Sequence, residues 1–296
     1  MAPESATAMS SDETDTRGMS VAALAESILV TACAPILVRW AGVPGPASAF
    51  YRLLFAGLVI VPLWLVRQPD WPVQRDVVWA AVAGALLAAN FAFLNSALML
   101  TTAAEATLIA GSAPLWVGVS SLLIFRQRLP VRYWGGLAMA LVGMTVVLGG
   151  SALWPPMLGL GESLAMGTSL CYAAYLLTIS RIRTRLDTLS IAAVGSLSGE
   201  ATLLALALGL GVPLTGYDAQ AWAALLGPGI VSHVGGLLGI GFALGRLPAT
   251  TVSVALLDIP VLTALLAVPL LGEPLDQGIV IGGMLILGGI GLATRR

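Results

Sequence analysis

Lysine does not occur in this sequence of 296 residues, histidine occurs once and cysteine twice. A P-loop needs a lysine to hold nucleotide phosphates, and a pyridoxal Schiff base needs a lysine amine, so both kinds of site are excluded. Cys33 and Cys171 lie in apolar runs and form neither a disulfide framework nor a metal-ligand spacing. We therefore expect no cofactor and no bound metal.

Charged residues are also scarce, at 10% of the chain, whereas 58% of residues are hydrophobic and the mean hydropathy is +0.94. Soluble domains are about 45–50% apolar and about 25% charged, so this composition does not fit a soluble protein. The net charge of −1 gives no indication of a nucleic-acid partner. The composition predicts an integral membrane protein whose surface contacts the lipid bilayer.

Ten apolar segments reach the roughly 20 residues that a helix needs to cross the hydrocarbon core. They are 20–40, 46–66, 76–98, 103–125, 131–150, 157–180, 188–210, 219–244, 248–271 and 277–294. These segments predict an all-α integral membrane protein with ten transmembrane helices. Residues 1–19 are rich in Ser, Thr, Asp and Glu, so we expect a disordered cytoplasmic tail there and no signal peptide.

The second half of the chain repeats landmarks of the first half at residue numbers that are higher by 146. Over 52 ungapped positions, eight residues of the first half are identical to their counterparts in the second half. They are Ala97, Leu98, Ala103, Pro114, Leu129, Gly136, Leu141 and Gly143. Each half, 20–150 and 151–296, contains five predicted helices. Because five is odd, the second half enters the membrane from the opposite face. The sequence therefore predicts two inverted five-helix repeats around a central cavity, an arrangement characteristic of secondary transporters.

Arginine predicts the orientation, because positive charges near helix ends stay on the cytoplasmic side of the membrane. Twelve arginines fall on the side of the two termini, namely Arg17, Arg67, Arg75, Arg126, Arg128, Arg132, Arg181, Arg183, Arg185, Arg246, Arg295 and Arg296. On the opposite side only Arg39 is expected. Both termini are therefore predicted to be cytoplasmic.

Four charged residues lie inside predicted helices but near a membrane face. Arg52, Glu105 and Glu162 are within two turns of the outer face, and Glu26 is equally near the inner face. Charges in hydrocarbon are costly, so they normally pair with one another or line a pathway. Two roles stay open for these four residues: an ion pair that locks helices together, or a site that couples transport to another ion.

A second set of polar and aromatic residues lies deeper in the predicted helices. The candidate substrate-binding residues are Asn90, Phe91, Asn95, Ser112, Trp116, Tyr172, Tyr175, His233 and Asp258. Around a cavity, the aromatic rings would contact a flat or apolar ligand, while the amides and the serine would hold its amino or carboxylate group. Asp258 or His233 could add charge. The alternative role for the same residues is packing and hydrogen bonding between helices.

The sequence resembles the EamA-type ten-helix exporters of the drug/metabolite transporter superfamily over about residues 20–294. The resemblance lies in the two five-helix units, the Leu-Gly-Glu-Pro turn at 271–274 and Arg52 in the second predicted helix. The Tyr-Ala-Ala-Tyr run at 172–175 and the ending at 292–296 resemble the aromatic amino-acid exporter branch called YddG. One departure is the first-half turn Arg-Gln-Arg at 126–128, where the family often has Gly-Glu.

The resemblance implies a basket of helices around a central cavity in a bacterial inner-membrane protein, with the fifth and tenth helices peripheral. We expect a monomeric secondary transporter that exports small metabolites, foremost aromatic or apolar amino acids, by alternating access from the cytoplasm to the outside. Proton exchange and facilitated diffusion both remain open. A multidrug, nucleoside or sugar exporter of the same fold is the first alternative. A passive channel and an intramembrane enzyme are the others, but one histidine without an HExxH motif does not favour an enzyme.

Epitope tags placed at the two ends of the chain test the predicted even number of crossings. In oriented spheroplasts, we expect both tags to react with antibody only after the membrane is permeabilised, because the arginine-rich side faces the cytoplasm. A tag on one end that reacts before permeabilisation, while the other does not, would show that the number of crossings is odd.

Overall fold

The structure, a computed structural model, describes residues 4–67, 73–123, 130–147, 159–183, 185–244, 255–256 and 258–294. All regular secondary structure in these ranges is helical. The elements are α1 (Glu4–Ala41), α2 (Gly45–Val66), α3 (Gln74–Ala97), α4 (Ala103–Ala110), α5 (Ala113–Leu123), α6 (Val131–Val147), α7 (Leu160–Ile182), α8 (Thr188–Gly209), α9 (Ala219–Leu226), a π-helical segment (Gly227–Gly235), α10 (Gly236–Leu244), α11 (Asp258–Leu271) and α12 (Gln277–Thr294).

Six stretches of the described chain are long and apolar enough to cross a membrane. They are Gly18–Ala41, Gly45–Val66, Gln74–Ala97, Leu160–Ile182, Thr188–Gly209 and Ala219–Ile240. A helix satisfies all its interior backbone hydrogen bonds within one segment, which hydrocarbon requires. On α2, Leu58 and Val66 are 64% and 79% exposed, which suits contact with lipid tails. Helical structure occurs within each of the ten predicted segments, and the count of ten crossings stays a prediction.

The amino-terminal segment differs from the expectation. Residues 1–19 are predicted to be disordered, but α1 begins at Glu4 and continues without interruption to Ala41. Extending an existing helix costs much less than nucleating a new one, because each added residue contributes a hydrogen bond. A stable membrane helix therefore carries helical structure into a polar segment that would not form a helix alone. The boundary at residue 150 stays a prediction, because residues 148–158 lie outside the described ranges.

One predicted membrane helix is interrupted. Gly111 and Ser112 separate α4 from α5, and Pro114 is the second residue of α5. Proline has no backbone N–H and is tolerated in the first turn of a helix, where that N–H would have no partner. The carbonyl oxygen of Ile109 accepts two hydrogen bonds from Ser112, one of 3.1 Å from its backbone N–H and one of 2.7 Å from its hydroxyl. The break between α4 and α5 is therefore stabilised by local hydrogen bonds.

Most of the large contacts between helices recur when the two halves are exchanged. The exchange matches α1 with α7, α2 with α8, α3 with α9, the π-helical segment and α10, α5 with α11, and α6 with α12. α3 packs on α7, and correspondingly α10 packs on α1. α5 packs on α7, and correspondingly α11 packs on α1. α3 also packs on α8, and correspondingly the π-helical segment packs on α2. The contacts of α2 with α8 and of α6 with α12 each join counterparts. This supports two equivalent units; their opposite orientation in the bilayer stays a prediction.

Glycines bring α6 and α12 together in the same reciprocal manner. A Cβ atom at Gly143 would lie 2.6 Å from the carbonyl oxygen of Gly282, and one at Gly289 would lie 2.5 Å from that of Gly136. The repeat relates Gly143 to Gly289 and Gly136 to Gly282. Small residues allow close backbone approach in membrane bundles. The glycine-rich fifth and tenth predicted helices thus pack on each other within one chain.

Gly143→Ala tests this contact. Since its Cβ would also lie 2.7 Å from the backbone nitrogen of Ile286, we expect a loss of about 1–3 kcal/mol of stability from overpacking. The control is Gly135→Ala on the same helix, where the Cβ would meet only Leu292 Cδ2 at 3.8 Å. This control should be neutral or gain up to about 1 kcal/mol from helix propensity. Equal thermal unfolding midpoints for the two purified variants would contradict the close contact.

Candidate functional site

Three side chains from three elements meet where the two units contact each other. The Cζ atom of Arg52 on α2 lies over the ring of Phe91 on α3, 4.1 Å from its centroid. The ring of Phe91 meets the imidazole of His233 edge to face, with centroids 5.6 Å apart. Arg52 and Phe91 belong to the first unit and His233 to the second. We call these three residues the Arg52 cluster.

Burial makes the Arg52 cluster chemically unusual. Arg52 is 7% exposed and Phe91 is 8% exposed. The Nε atom of Arg52 is buried and has no hydrogen-bond partner. An aromatic face attracts a guanidinium through its quadrupole but offers no lone pair to the N–H donors. The cluster thus contains a buried cation whose hydrogen-bonding capacity is not used by Phe91.

His233 lies in the π-helical segment between α9 and α10. Gly227 and Pro228 begin this segment, and Ser232 anchors it by donating a hydrogen bond of 2.5 Å to the carbonyl oxygen of Val30 on α1. π-Helical turns place side chains at positions that an α-helix would not, and they are frequent at functional sites. The segment therefore positions the imidazole of His233 against Phe91.

Arg52 forms no ion pair with Glu105 or Glu162 among the described residues, and the choice between an ion pair and a coupling role stays a prediction. In the described part of the chain the ion pairs are Arg39–Glu273 and Arg185–Asp76. The carboxylate of Glu105 serves α4 instead: it accepts a hydrogen bond from the backbone N–H of Thr102, whose hydroxyl accepts one from the N–H of Glu105. Glu162 lies in the first turn of α7, where a negative charge is favourable near the helix N-terminus.

Three of the candidate polar residues hydrogen-bond between helices. Asn90 Nδ2 donates to the carbonyl oxygen of Thr168 at 3.0 Å, joining α3 to α7. Asn95 Nδ2 donates to Ser48 Oγ at 3.2 Å, joining α3 to α2, but its Oδ1 is buried without a partner. Ser112 Oγ lies 2.8 Å from Ser169 Oγ. These contacts fit the alternative role, packing between helices, and their role in binding stays a prediction.

The remaining candidates occupy separate places. Tyr172 and Tyr175 stack on each other on α7, with centroids 5.7 Å apart and planes at 20°, and Tyr172 is 38% exposed. Trp116 on α5 has a buried Nε1 without a hydrogen-bond partner. Asp258 is exposed in the first turn of α11. Among the described contacts, only Arg52, Phe91 and His233 form one cluster.

Glu26 is exposed beside a cleft between α1, the π-helical segment and α10. The cleft has a volume of about 320 Å³, and Ser27, Val30, Ile230 and Leu238 also line it. Ligand pockets have volumes of about 300–1,000 Å³, so the cleft is large enough for a small molecule. Its lining is apolar apart from Glu26 and Ser27. The chemistry available there is one carboxylate at the edge of an apolar surface.

Sequence reasoning missed one charged contact, which joins three helix ends. The Arg39 guanidinium at the end of α1 pairs with the Glu273 carboxylate and donates a further hydrogen bond of 3.2 Å to the carbonyl oxygen of Thr101. The two oxygens of Glu273 accept from the N–H of Ala103, the first residue of α4, at 3.0 and 2.9 Å. We call Arg39, Glu273, Thr101 and Ala103 the Glu273 clamp.

The local sequence explains why Glu273 reaches the start of α4. Gly272 has φ of +68°, a left-handed conformation that glycine adopts without strain. Backbone hydrogen bonds from Gly272 to Val268 and from Glu273 to Ala267 end α11 in a tight turn, which directs the carboxylate to α4. Buried apolar side chains, including those of Val38, Leu98 and Ile109, pack at the same end of the bundle. At this end of the bundle, α1, α3, α4 and α11 are therefore packed together.

Glu273→Gln tests the Glu273 clamp. Glutamine keeps the shape and one acceptor oxygen but removes the charge, and Glu273 is only 9% exposed. Since hydrogen bonds to charged groups contribute about 1.5–3 kcal/mol, we expect a loss of that order in the thermal unfolding of the purified protein. The control, Asp276→Asn in the same turn, removes the charge of a carboxylate that accepts one N–H bond at 2.7 Å, from Ile279. A loss no greater than for Asp276→Asn would refute the clamp.

Comparison with known proteins agrees with this architecture. The sequence pattern of the EamA-like transporter family matches twice, at residues 18–149 and 159–295. Two curated relatives from Archaeoglobus fulgidus, each described as an uncharacterized transporter, are 25% and 26% identical over 257 and 248 residues. Each alignment covers 84% of this chain, and 87% and 86% of the respective relatives.

A solved crystal structure has a similar fold, with a TM-score of 0.63 and 25% sequence identity. The similarity covers 94% of this chain and 98% of the other. The two sequence matches fall on the two halves that the 146-residue repeat and the packing symmetry define. The chain belongs to the EamA-like transporter family of the drug/metabolite transporter superfamily and is a multi-pass membrane protein.

Proposed function

We propose that this transporter is a secondary exporter of small metabolites, specifically amino acids with aromatic or apolar side chains. The observation that carries the proposal is the Arg52 cluster, which joins the two units through one cationic and two aromatic side chains. Such a combination suits a ligand that has a flat or apolar part and a charged head. A site shared by both units is also the place that changes when the units move relative to each other.

Alternating access is the mechanism that the two ends of the bundle support. The Glu273 clamp holds the ends of α1, α4 and α11 together, at the end that the arginine distribution predicts to face outward. The cleft beside Glu26 lies between α1 and α10, towards the end predicted to face the cytoplasm. Substrate would enter from the cytoplasm, reach the Arg52 cluster, and leave after the Glu273 clamp opens.

The other candidate residues then have defined parts in this proposal. Tyr172, with its stacked partner Tyr175, offers a second aromatic surface that is partly exposed. Asn95 keeps an unused acceptor oxygen, and Trp116 keeps an unused N–H donor. These groups and the exposed Asp258 would contact the substrate. Asn90 and Ser112 are hydrogen-bonded between helices here, so they would contact the substrate only when the helices rearrange.

A second substrate class is favoured by the cleft beside Glu26. A single carboxylate on an apolar wall fits an apolar organic cation. The same chain would then be a multidrug exporter, with Glu26 in place of the Arg52 cluster as the recognition element. The two functions differ in the charge of the substrate, so a transport panel that contains both kinds of compound separates them.

Efflux from proteoliposomes tests the proposed function. Proteoliposomes that contain the purified protein are loaded with a radiolabelled compound and assayed with and without a pH gradient. The compounds are L-phenylalanine, L-leucine, uridine, glucose and a quaternary ammonium drug. We expect saturable efflux of the two amino acids. Phe91→Leu should raise the half-saturating concentration of L-phenylalanine about two- to tenfold, because aromatic contacts contribute about 0.5–1.5 kcal/mol beyond area burial.

The matched control is Phe93→Leu on the same helix. Phe93 contacts α7 near Gly167, where a Cβ would lie 3.2 Å from its Cδ2 atom, and it is outside the Arg52 cluster. Its replacement should leave the half-saturating concentration unchanged. Efflux of the ammonium drug without amino-acid efflux would support the multidrug function. Efflux of neither would refute both.

A further inference from the structure

Arg52 is a buried cation for which the described part of the chain provides no acid. Arg52 is 7% exposed, and its Nε atom is buried without a hydrogen-bond partner. The two arginines that do form ion pairs in the described ranges, Arg39 and Arg185, are far more accessible, with side chains that are 31% and 57% exposed. The most buried of these three guanidinium groups is thus the one without a counter-charge.

Glu200 is an acid on α8 that also packs on α2. Its carboxylate packs on α2 at Gly57, where an added Cβ would overlap its Oε1 atom. Gly57 is five residues beyond Arg52, and residues five apart on a helix do not share a face. Glu200 forms neither of the ion pairs found in the described ranges.

Packing alone does not explain a guanidinium in this place. Moving a charge into an apolar interior is costly, and the cost is recovered only when an opposite charge and hydrogen bonds are supplied. Phe91 supplies an aromatic face but no acceptor. His233, which meets Phe91 edge to face, carries no negative charge in either of its ordinary forms. The missing component is therefore an anion that accepts hydrogen bonds.

We propose that Arg52 binds the carboxylate group of the transported substrate. The inference rests on the proposed function and deepens it, because it makes the carboxylate, rather than the amino group, the part that the first unit recognises. A guanidinium binds a carboxylate through two parallel hydrogen bonds, which lysine cannot reproduce. Phe91 and His233 then lie beside the carboxylate and contact the apolar part of the substrate.

The position of Arg52 also explains how a carboxylate reaches a buried cation. Arg52 and Phe91 are on α2 and α3 of the first unit, whereas His233 and the glycines before it belong to the second. The backbone at Gly229 approaches α2 closely, since a Cβ there would lie 2.8 Å from Phe55 Cβ and 3.0 Å from the carbonyl oxygen of Arg52. Movement of the second unit away from α2 would uncover the guanidinium.

Ligand binding to the purified chain in detergent tests the proposal without requiring transport. Isothermal titration compares L-phenylalanine with L-phenylalaninamide, which lacks the carboxylate, and with phenylacetate, which lacks the amino group. The wild-type chain should bind L-phenylalanine at least about tenfold more tightly than the amide, since a hydrogen-bonded charge is removed. Phenylacetate should also bind more tightly than the amide.

Two substitutions at Arg52 and one matched control identify the residue responsible. Arg52→Gln should reduce the preference for L-phenylalanine over the amide to about onefold, and Arg52→Lys should retain part of it, because the point charge remains. Arg132→Gln, at an exposed arginine on α6, should leave the preference unchanged. If Arg52→Gln does not fold, Arg52→Lys and the comparison of the three compounds on the wild-type protein test the proposal instead.

Each outcome supports or overturns the inference. A wild-type chain that binds L-phenylalanine and its amide equally well overturns the role of Arg52 and leaves the amino-acid function standing. Binding of phenylacetate without L-phenylalanine supports Arg52 as a carboxylate site and overturns the amino-acid function. An Arg52→Gln variant that is less stable but keeps the full preference shows that Arg52 only supports packing. No binding of any of the three compounds overturns both proposals.

Discussion

The cost of placing charge in hydrocarbon governs where this chain keeps its ionisable side chains. Glu273 meets that cost with Arg39 and with the first backbone N–H of α4. Glu105 meets it within the first turn of its own helix. Arg52 is handled differently, against the face of Phe91 and without an acid among the described residues. The contacts of Glu273 join three helix ends and those of Glu105 stabilise the start of α4, whereas Arg52 is left without an acidic partner.

Close backbone contact provides the framework for these charges. Gly143 and Gly289 bring α6 and α12 together through reciprocal contacts, so the repeat seen in the sequence is also a repeat in the packing. The helices that contribute the Arg52 cluster and the Glu273 clamp are elsewhere in the bundle. The contacts between the units thus include close glycine packing at α6 and α12 and side-chain packing at α1, α2 and the π-helical segment.

The candidate site could be predicted only in part. Phe91 and His233 stand out because aromatic and titratable residues are rare deep in an apolar chain, and the structure brings them into contact. Arg52 stands out for the same reason, but its partner could not be predicted, since opposite charge at similar depth does not establish contact. Glu273 was noted only as part of a turn, because a residue at a helix end looks solvated when its neighbours are unknown.

The sequence by itself determined the membrane class, the helical segments, the two related halves and the family, because hydropathy, periodicity and repeated landmarks are properties of residue order. The tertiary structure alone decided which side chains meet. Arg52 and His233 are far apart in the chain, and their shared contact with Phe91 depends on how α2, α3 and the π-helical segment are rotated and shifted against one another. Spacing along a helix defines its faces, but only packing between helices decides what each face contacts.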